Sequence, residues 1–255
     1  MAPSRTHDRV ADEDSTAIFV PSNPGRRRVA APPTKQTRAA LPPPAEAPAK
    51  KFATVRVIGR YLGHELSERC ERIDFGATYE LGASQTDLAD PYLDPVQARI
   101  VPRRLGFSIE DMDSTNGVFV LLRHPIGIQD GDSFRLGSQL LVFHEAGRRT
   151  VASLGVPHRE LWGRVDVMIT TNLRASVHPL RERALLIGRS EGGLRFPTDG
   201  HLSRAHCRLS EGVGGVTLED LSSSNGTYHR LRGRTLLPYG TVLLAGQTLW
   251  RVDAG

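Results

Sequence analysis

An all-β chain, two antiparallel β-sandwiches in tandem behind a disordered tail, is what this sequence predicts, and three observations predict it. The stretch Phe107-Ser-Ile-Glu-Asp-Met-Asp-Ser-Thr-Asn-Gly117 lies over Val216-Thr-Leu-Glu-Asp-Leu-Ser-Ser-Ser-Asn-Gly226, an offset of 109 residues that also carries Gly131 and Gly137 onto Gly240 and Gly246. A period of that length makes each copy a whole domain, since solenoid repeats are far shorter. From about Phe52 onward, short runs of strand-forming residues are separated by Gly, Asp, Asn and Pro, with little apolar recurrence near a helical period. Before Phe52 the texture is quite different.

Residues 1–50 hold Ser22-Asn-Pro-Gly25, the basic run Arg26-Arg27-Arg28 and the cluster Pro42-Pro43-Pro44. Such a segment buries too little apolar surface to offset its ordering entropy. One apolar patch interrupts it, Ala17-Ile18-Phe19-Val20, directly after Asp12-Glu13-Asp14-Ser15-Thr16, and it suits a docking motif. The first copy then spans 51–146, with strands expected at Val55–Ile58, Gly106–Glu110 and Leu140–Phe143. A linker at 147–163, containing Gly147-Arg-Arg149 and Pro157, precedes the second copy at 164–255. Its strands are expected at Val165–Ile169, Leu185–Ile187, Val216–Leu218 and Thr248–Val252. Many short strands at such intervals imply a sandwich in each copy.

The composition narrows the function. No run approaches the roughly 18 apolar residues of a membrane span, and the start has no apolar core of the kind a signal peptide requires. A cytoplasmic location without a membrane partner is therefore expected. The net charge of +5 is modest and spread along the chain, which disfavours nucleic acid as the partner. Cys70 and Cys207 are not equivalent in the repeat and form no C-x-x-C spacing. Both are expected to be small buried hydrophobes, with no disulfide, metal or cofactor.

Three segments of the second copy stand at the ends of expected strands: Gly188-Arg189-Ser190, Ser203-Arg204-Ala205-His206 and Ser222-Ser223-Ser224-Asn225-Gly226-Thr227. Loops at one end of a sandwich converge readily on one site. Together they offer a guanidinium fork, the hydroxyls of Ser203 and Ser224, and loop N–H groups, which is what a phosphate requires. The amide of Asn225 both donates and accepts, so it suits a peptide main chain. Ser203, His206 and Asp220 also admit a nucleophile–base–acid reading, but no strained Gly-x-Ser-x-Gly elbow surrounds Ser203. His201, His206 and Cys207 lack a fourth metal ligand. The chain is accordingly not expected to be an enzyme.

In these residues the sequence resembles the forkhead-associated family, whose pattern is Gly-Arg, then Ser-x-x-His, then Ser-x-Asn-Gly or a close variant. The resemblance covers 165–253 and, more weakly, 55–144. It implies sandwiches of about eleven strands and binding of phosphothreonine peptides through loops at one edge, with a pocket for the threonine methyl group. Carried over, Arg189 and Ser203 contact the phosphate, Arg204 and Ser224 assist, and Asn225 holds the peptide main chain. Gly188, His206 and Gly226 support the site, with His206 bracing the loop that carries Ser203 and Gly226 allowing the turn after Asn225.

The first copy keeps Asn116 and Gly117 but has Leu81-Gly82-Ala83 in place of Ile187-Gly188-Arg189. Asp94, Pro95 and Gln97 stand where Ser203, Arg204 and His206 stand in the second. Asp94, with Asp87 and Asp90 nearby, is expected to repel a phosphate dianion, so this copy should not bind phosphopeptides. Whether it serves as a docking surface or as a structural partner stays open at this stage.

The expected function is a phosphothreonine-dependent adaptor in signalling by a Ser/Thr protein kinase. Its partner is a phosphothreonine-containing protein or its own phosphorylated tail. Thr16 is the first candidate acceptor, resembling the amino-terminal phosphorylation segment of small bacterial forkhead-associated regulators, and Thr150, after Arg148-Arg149, is the second. The tail is long enough to reach the domains, and tethering raises the effective concentration of even a weak ligand. The alternative is a nucleic-acid-associated regulator that uses the basic tail, with the two domains as phospho-independent docking modules.

Overall fold

The computed structural model describes residues 52–61, 63, 69–85, 90–146 and 161–255. The expected tail, with Thr16, the Ala17–Val20 patch and Arg26–Arg28, lies outside the described residues, as do Asp87, Thr150 and 147–160 of the expected linker. The described residues form nineteen strands and one 3-10 turn, Ala83–Gln85. The first copy supplies β1 (Phe52–Arg60), β2 (Arg69–Asp74), β3 (Tyr79–Leu81), β4 (Ala98–Arg103), β5 (Gly106–Asp111), β6 (Val118–Leu121), β7 (Ile126–Ile128), β8 (Ser133–Leu136) and β9 (Gln139–Glu145). The second supplies β10 (Gly163–Thr170), β11 (Leu173–Leu180), β12 (Ala184–Gly188), β13 (Leu194–Arg195), β14 (Cys207–Gly212), β15 (Gly215–Asp220), β16 (Thr227–Arg230), β17 (Arg234–Leu237), β18 (Thr241–Ala245) and β19 (Thr248–Ala254). Among the described residues no helix is long and apolar enough to cross a membrane.

The expected strands are present, and their alternation explains why they form sheets. Ala53, Val55 and Val57 of β1 are buried while their neighbours are more exposed, and Val216 and Leu218 do the same in β15. Period-two burial of this kind fixes register, because a slip of one residue turns the apolar face outward. All pairings are antiparallel except β12 with β13.

The pairing crosses the boundary between the copies, so the segments 51–146 and 164–255 do not each close on themselves. β7 pairs with β15, and β9 pairs with β10. Reciprocally, β17 pairs with β5, and β19 pairs with β1. Each sandwich therefore borrows its last three strands from the other copy. One holds β1–β6 with β17–β19 and the other holds β7–β16, nine and ten strands where the resemblance implies about eleven. The two halves share a ten-stranded sheet, β11-β10-β9-β8-β16-β6-β18-β19-β1-β2. At its centre Val120 of β6 faces His229 of β16, residues one repeat apart, so the sheet is related to itself by a pseudo-twofold axis at that pair. Because β6 and β16 lie side by side, the short connectors that follow them carry the chain straight into the opposite sandwich. This is a domain swap within one chain.

Both apolar cores are composite for this reason. Val55, Leu81, Ile100 and Phe107 pack with Leu243, Trp250 and Val252 from the second copy. Ile187, Cys207, Leu209 and Leu218 pack with Phe134, Leu141 and Phe143 from the first. A third cluster, Tyr61, Phe119, Tyr228, Val242 and Leu244, lies at the seam, where Tyr61 and Tyr228 meet edge to face with centroids 5.3 Å apart.

Two buried aspartates, one repeat apart, hold the exchanged hairpins. Asp90 accepts hydrogen bonds from the Gln247 N–H and the Thr248 hydroxyl, both at 2.8 Å, and Asp199 accepts them from the Ser138 N–H and Gln139 Nε2, both at 2.8 Å. Burial pushes the Asp199 carboxyl up, but the bonds from Gln139, Ser138 and the His201 N–H outweigh it and hold its pKa below the usual value. Asp90 therefore does not face a ligand as a repelling charge, as the sequence led us to expect; it is only 5% exposed and belongs to the core lock. Cys70 corrects a second expectation. It is exposed on the edge strand β2, and only Cys207 is buried.

Candidate functional site

Three loops of the second copy bring the expected residues together. Gly188 ends β12, and a Cβ there would collide with the Arg204 carbonyl, so glycine lets the β12 and β13–β14 chains approach. The Arg189 N–H donates to the Ser203 carbonyl at 2.9 Å, while the N–H groups of Ser190 and Glu191 donate to the Arg204 carbonyl at 3.3 and 3.0 Å. The Ser224 N–H donates to Ser203 Oγ at 3.1 Å, which ties the third loop to the second. With its oxygen accepting that bond, the Ser203 hydroxyl has its own hydrogen left to donate to an anion. Asn225 Nδ2 donates to the His201 carbonyl at 2.8 Å, a contact that sequence reasoning did not foresee.

His206 sits beneath these loops, fully buried. The Ser203 N–H donates to its Nδ1 at 3.1 Å, so Nε2 carries the ring proton and donates to the Gly226 carbonyl, also at 3.1 Å. One imidazole thereby braces both loops. Burial lowers its pKa, against the opposing pull of the Gly226 carbonyl, Asp220 and Asp199, and keeps the ring neutral. Both ring nitrogens are engaged by backbone, and neither is bonded to Ser203 Oγ. Asp220 is occupied too: Oδ1 accepts from the hydroxyls of Ser223 and Thr227 at 2.6 Å, and Oδ2 accepts from the Ser223 N–H at 3.0 Å. These bonds shape the Asn225 turn, in which Gly226 has a φ of 79° and Ser222 a φ of 57°. The geometry thus gives Ser203, His206 and Asp220 structural tasks instead of a triad's.

The charges differ in how they are used. Arg204, exposed, has Glu191 at 3.7 Å, and Arg208 pairs with Glu219 at 2.6 Å. Arg189, half-buried, has no carboxylate at ion-pairing distance among the described residues. An unspent guanidinium and donor hydroxyls on adjoining loops are the groups from which an anion site is built. Among the described residues no group of three His, Cys, Asp or Glu side chains is placed to hold a metal, and burial pushes the Cys207 thiol well above its usual pKa.

The equivalent loops of the first copy have the same frame with different contents. The Ala83 N–H donates to the Asp94 carbonyl at 2.9 Å, as Arg189 does to Ser203. The Asp94 N–H donates to Gln97 Oε1 at 2.9 Å and Gln97 Nε2 donates to the Gly117 carbonyl at 2.8 Å, so Gln97 reproduces both bonds of His206. Asn116 Nδ2 donates to the Tyr92 carbonyl at 2.9 Å, matching Asn225. Where Ser203 stands in the other copy, the Asp94 carboxylate accepts from the Thr115 N–H at 2.6 Å and from its hydroxyl at 3.2 Å. A fixed anion thus occupies this loop, and Ala83 supplies no cation.

Comparison with known proteins identifies the family. The FHA domain model matches at residues 72–137 and again at 185–246. Each match is continuous in sequence and takes in strands that the fold lends to the other sandwich. A solved structure described as "Structural and functional analysis of phosphothreonine-dependent FHA domain interactions" is 27% identical over 31% of this chain and 85% of that one, with a TM-score of 0.19. No curated protein matches. With half of its length matched, in two copies one repeat apart, the chain belongs to the FHA domain family.

Proposed function

We propose that this chain is a phosphothreonine-dependent protein-interaction adaptor whose second-copy loops form the reading site. FHA domains are phosphopeptide-binding modules, and membership supports a phospho-dependent interaction. The observation that carries the finer reading is that an unspent Arg189 is joined through its N–H to the Ser203 carbonyl, while the Ser203 hydroxyl oxygen accepts from the Ser224 N–H and keeps its own hydrogen to donate. Arg189 and Ser203 hold the phosphate, Arg204 leaves its long contact with Glu191 to assist, and Ser224 and Asn225 meet the peptide. The ligand is a phosphothreonine made by a Ser/Thr kinase, either in another protein or at Thr16 of the chain's own tail, which then competes with external ligand.

Calorimetry of the full chain tests this with one peptide in phosphothreonine, phosphoserine and unmodified forms. Only the phosphorylated forms should bind, threonine tighter than serine by about one buried methyl, on the order of 1 kcal/mol. Arg189→Ala should weaken binding by about 100-fold, since a charge-assisted bidentate contact is lost. Equal binding of phosphorylated and unmodified peptides, or full affinity in Arg189→Ala, refutes the site. In the same titration, phosphorylation at Thr16 should lower the apparent affinity relative to Thr16→Ala, and unchanged affinity removes the tail from the account.

A further inference from the structure

The Ser222–Gly226 loop of the proposed reading site is walled by the other copy. A cavity of about 580 Å3 is lined on one side by Ser222–Gly226 and on the other by Ile58 and the connector Leu121–Pro125, with Val242 and Leu249 also contributing. Ile58 and the connector belong to the first copy, and Val242 and Leu249 belong to the hairpin packed in the first copy's sandwich. Leu121 lies directly against Gly226, where a Cβ would strike it. Asn225, the residue assigned to the peptide main chain, also borders a second space with Arg60 and Tyr61 of β1 and its end. First-copy surface therefore adjoins Asn225 on both sides.

The chemistry of that surface is lopsided. Ile58 is 40% exposed, and Arg123 and His124 are exposed at the connector. Arg123 and Tyr228 line the same cavity; burial raises the Tyr228 phenol to about 12, and the charge of Arg123 opposes the rise. The acids of the cavity are already engaged: Glu219 by Arg208, and Asp220 by Ser223 and Thr227. Arg123 has no carboxylate at ion-pairing distance among the described residues. Its equivalent one repeat later, Arg232, is fully spent, with Nε 2.6 Å from Asp132 and Nη2 donating to the Asp130 carbonyl at 2.8 Å. The connector cation is thus left unpaired on the side with a phosphate site and neutralised on the side without one.

We propose that the first copy supplies, in cis but from the opposite sandwich, the wall that selects residues flanking the phosphothreonine, with Arg123 favouring an acidic side chain. This rests on the phosphopeptide reading above. It gives the degenerate copy a task at a site other than its own. Fluorescence anisotropy of the full chain tests it with a phosphothreonine peptide carrying Glu, Ala or Lys at each flanking position in turn. At one or more positions Glu should bind about fivefold tighter than Lys, the range of an exposed ion pair. Arg123→Glu, an exposed change that should leave the melting temperature in place, should reverse that order while retaining discrimination of phosphothreonine from threonine. The same preference in Arg123→Glu as in the parent, or no charge preference at any position, overturns the inference. Loss of phosphate discrimination in the parent chain instead overturns the phosphopeptide reading beneath it.

Discussion

The Ser203 loop and the Asp94 loop are one structure filled in two ways. In both, the first residue after the conserved glycine donates its N–H to the carbonyl of the diverged position, at 2.9 Å in each case, and a side chain three residues on braces the neighbouring turn. Histidine does this in one copy and glutamine in the other, since each presents an acceptor and a donor at a similar spacing. What differs is charge. The second copy has a spare cation and a hydroxyl, whereas the first has a carboxylate that already accepts the loop donors. The difference teaches that frame and loop chemistry are separable here, and that the first copy's loop is internally satisfied without being dismantled.

The largest effect should come from the locks that make the two loops share a fold. Asp90→Ala or Asp199→Ala strands buried donors, and each should cost about 3 kcal/mol in chemical denaturation of the full chain. Double-mutant cycles locate the exchange: Asp90 should couple with Thr248 and Asp199 with Gln139, by about 1 kcal/mol each. Coupling of Asp90 with Gln139 instead would show that the copies close on themselves.

A smaller effect should follow from refilling the Asp94 loop. Ala83→Arg with Asp94→Ser restores the cation and hydroxyl on an intact frame. Measured in an Arg189→Ala background, it should recover phosphate-dependent binding by about tenfold, near 1.4 kcal/mol. If no binding returns, the contrast between the loops lies in more than these two positions.

The smallest concerns the brace. His206→Gln copies the first copy and should change stability by less than about 1 kcal/mol. Its signature is in pH. Because burial depresses the His206 pKa, the unfolded chain takes up this proton first as pH falls through 6.5. Its contribution is thus complete above that value and drains away below it, until the folded value is reached. His178, also lowered by burial, adds to the same slope. Melting in His206→Gln should therefore fall less steeply below pH 6.5 than in the parent, and an identical slope would deny that His206 is neutral in the fold.

The strands and the meeting of the three loops were legible in the sequence for a physical reason: period-two burial and the Gly188-Arg189, Ser203–His206 and Asn225-Gly226 spacings are local. The exchange was not. β8–β9 and β18–β19 offer alike apolar faces to alike edges, so no pattern in either says which sandwich it completes. The role of Asp90 was hidden with it, because its partners Gln247 and Thr248 lie in the other copy. Gln97 looked like a lost histidine since isosteric bracing is a matter of geometry, which a residue name does not display. Arg123 gave no signal beyond its offset from Arg232.

The facing of Val120 and His229 has one more consequence, for descent. A lineage carrying two ordinary tandem domains is free to delete one of them. Here each copy completes the other's sheet, so excising either would leave the survivor short of three strands and about a third of its core. Each copy is inherited as an organ of its neighbour, and its loops can drift only where the shared framework does not object.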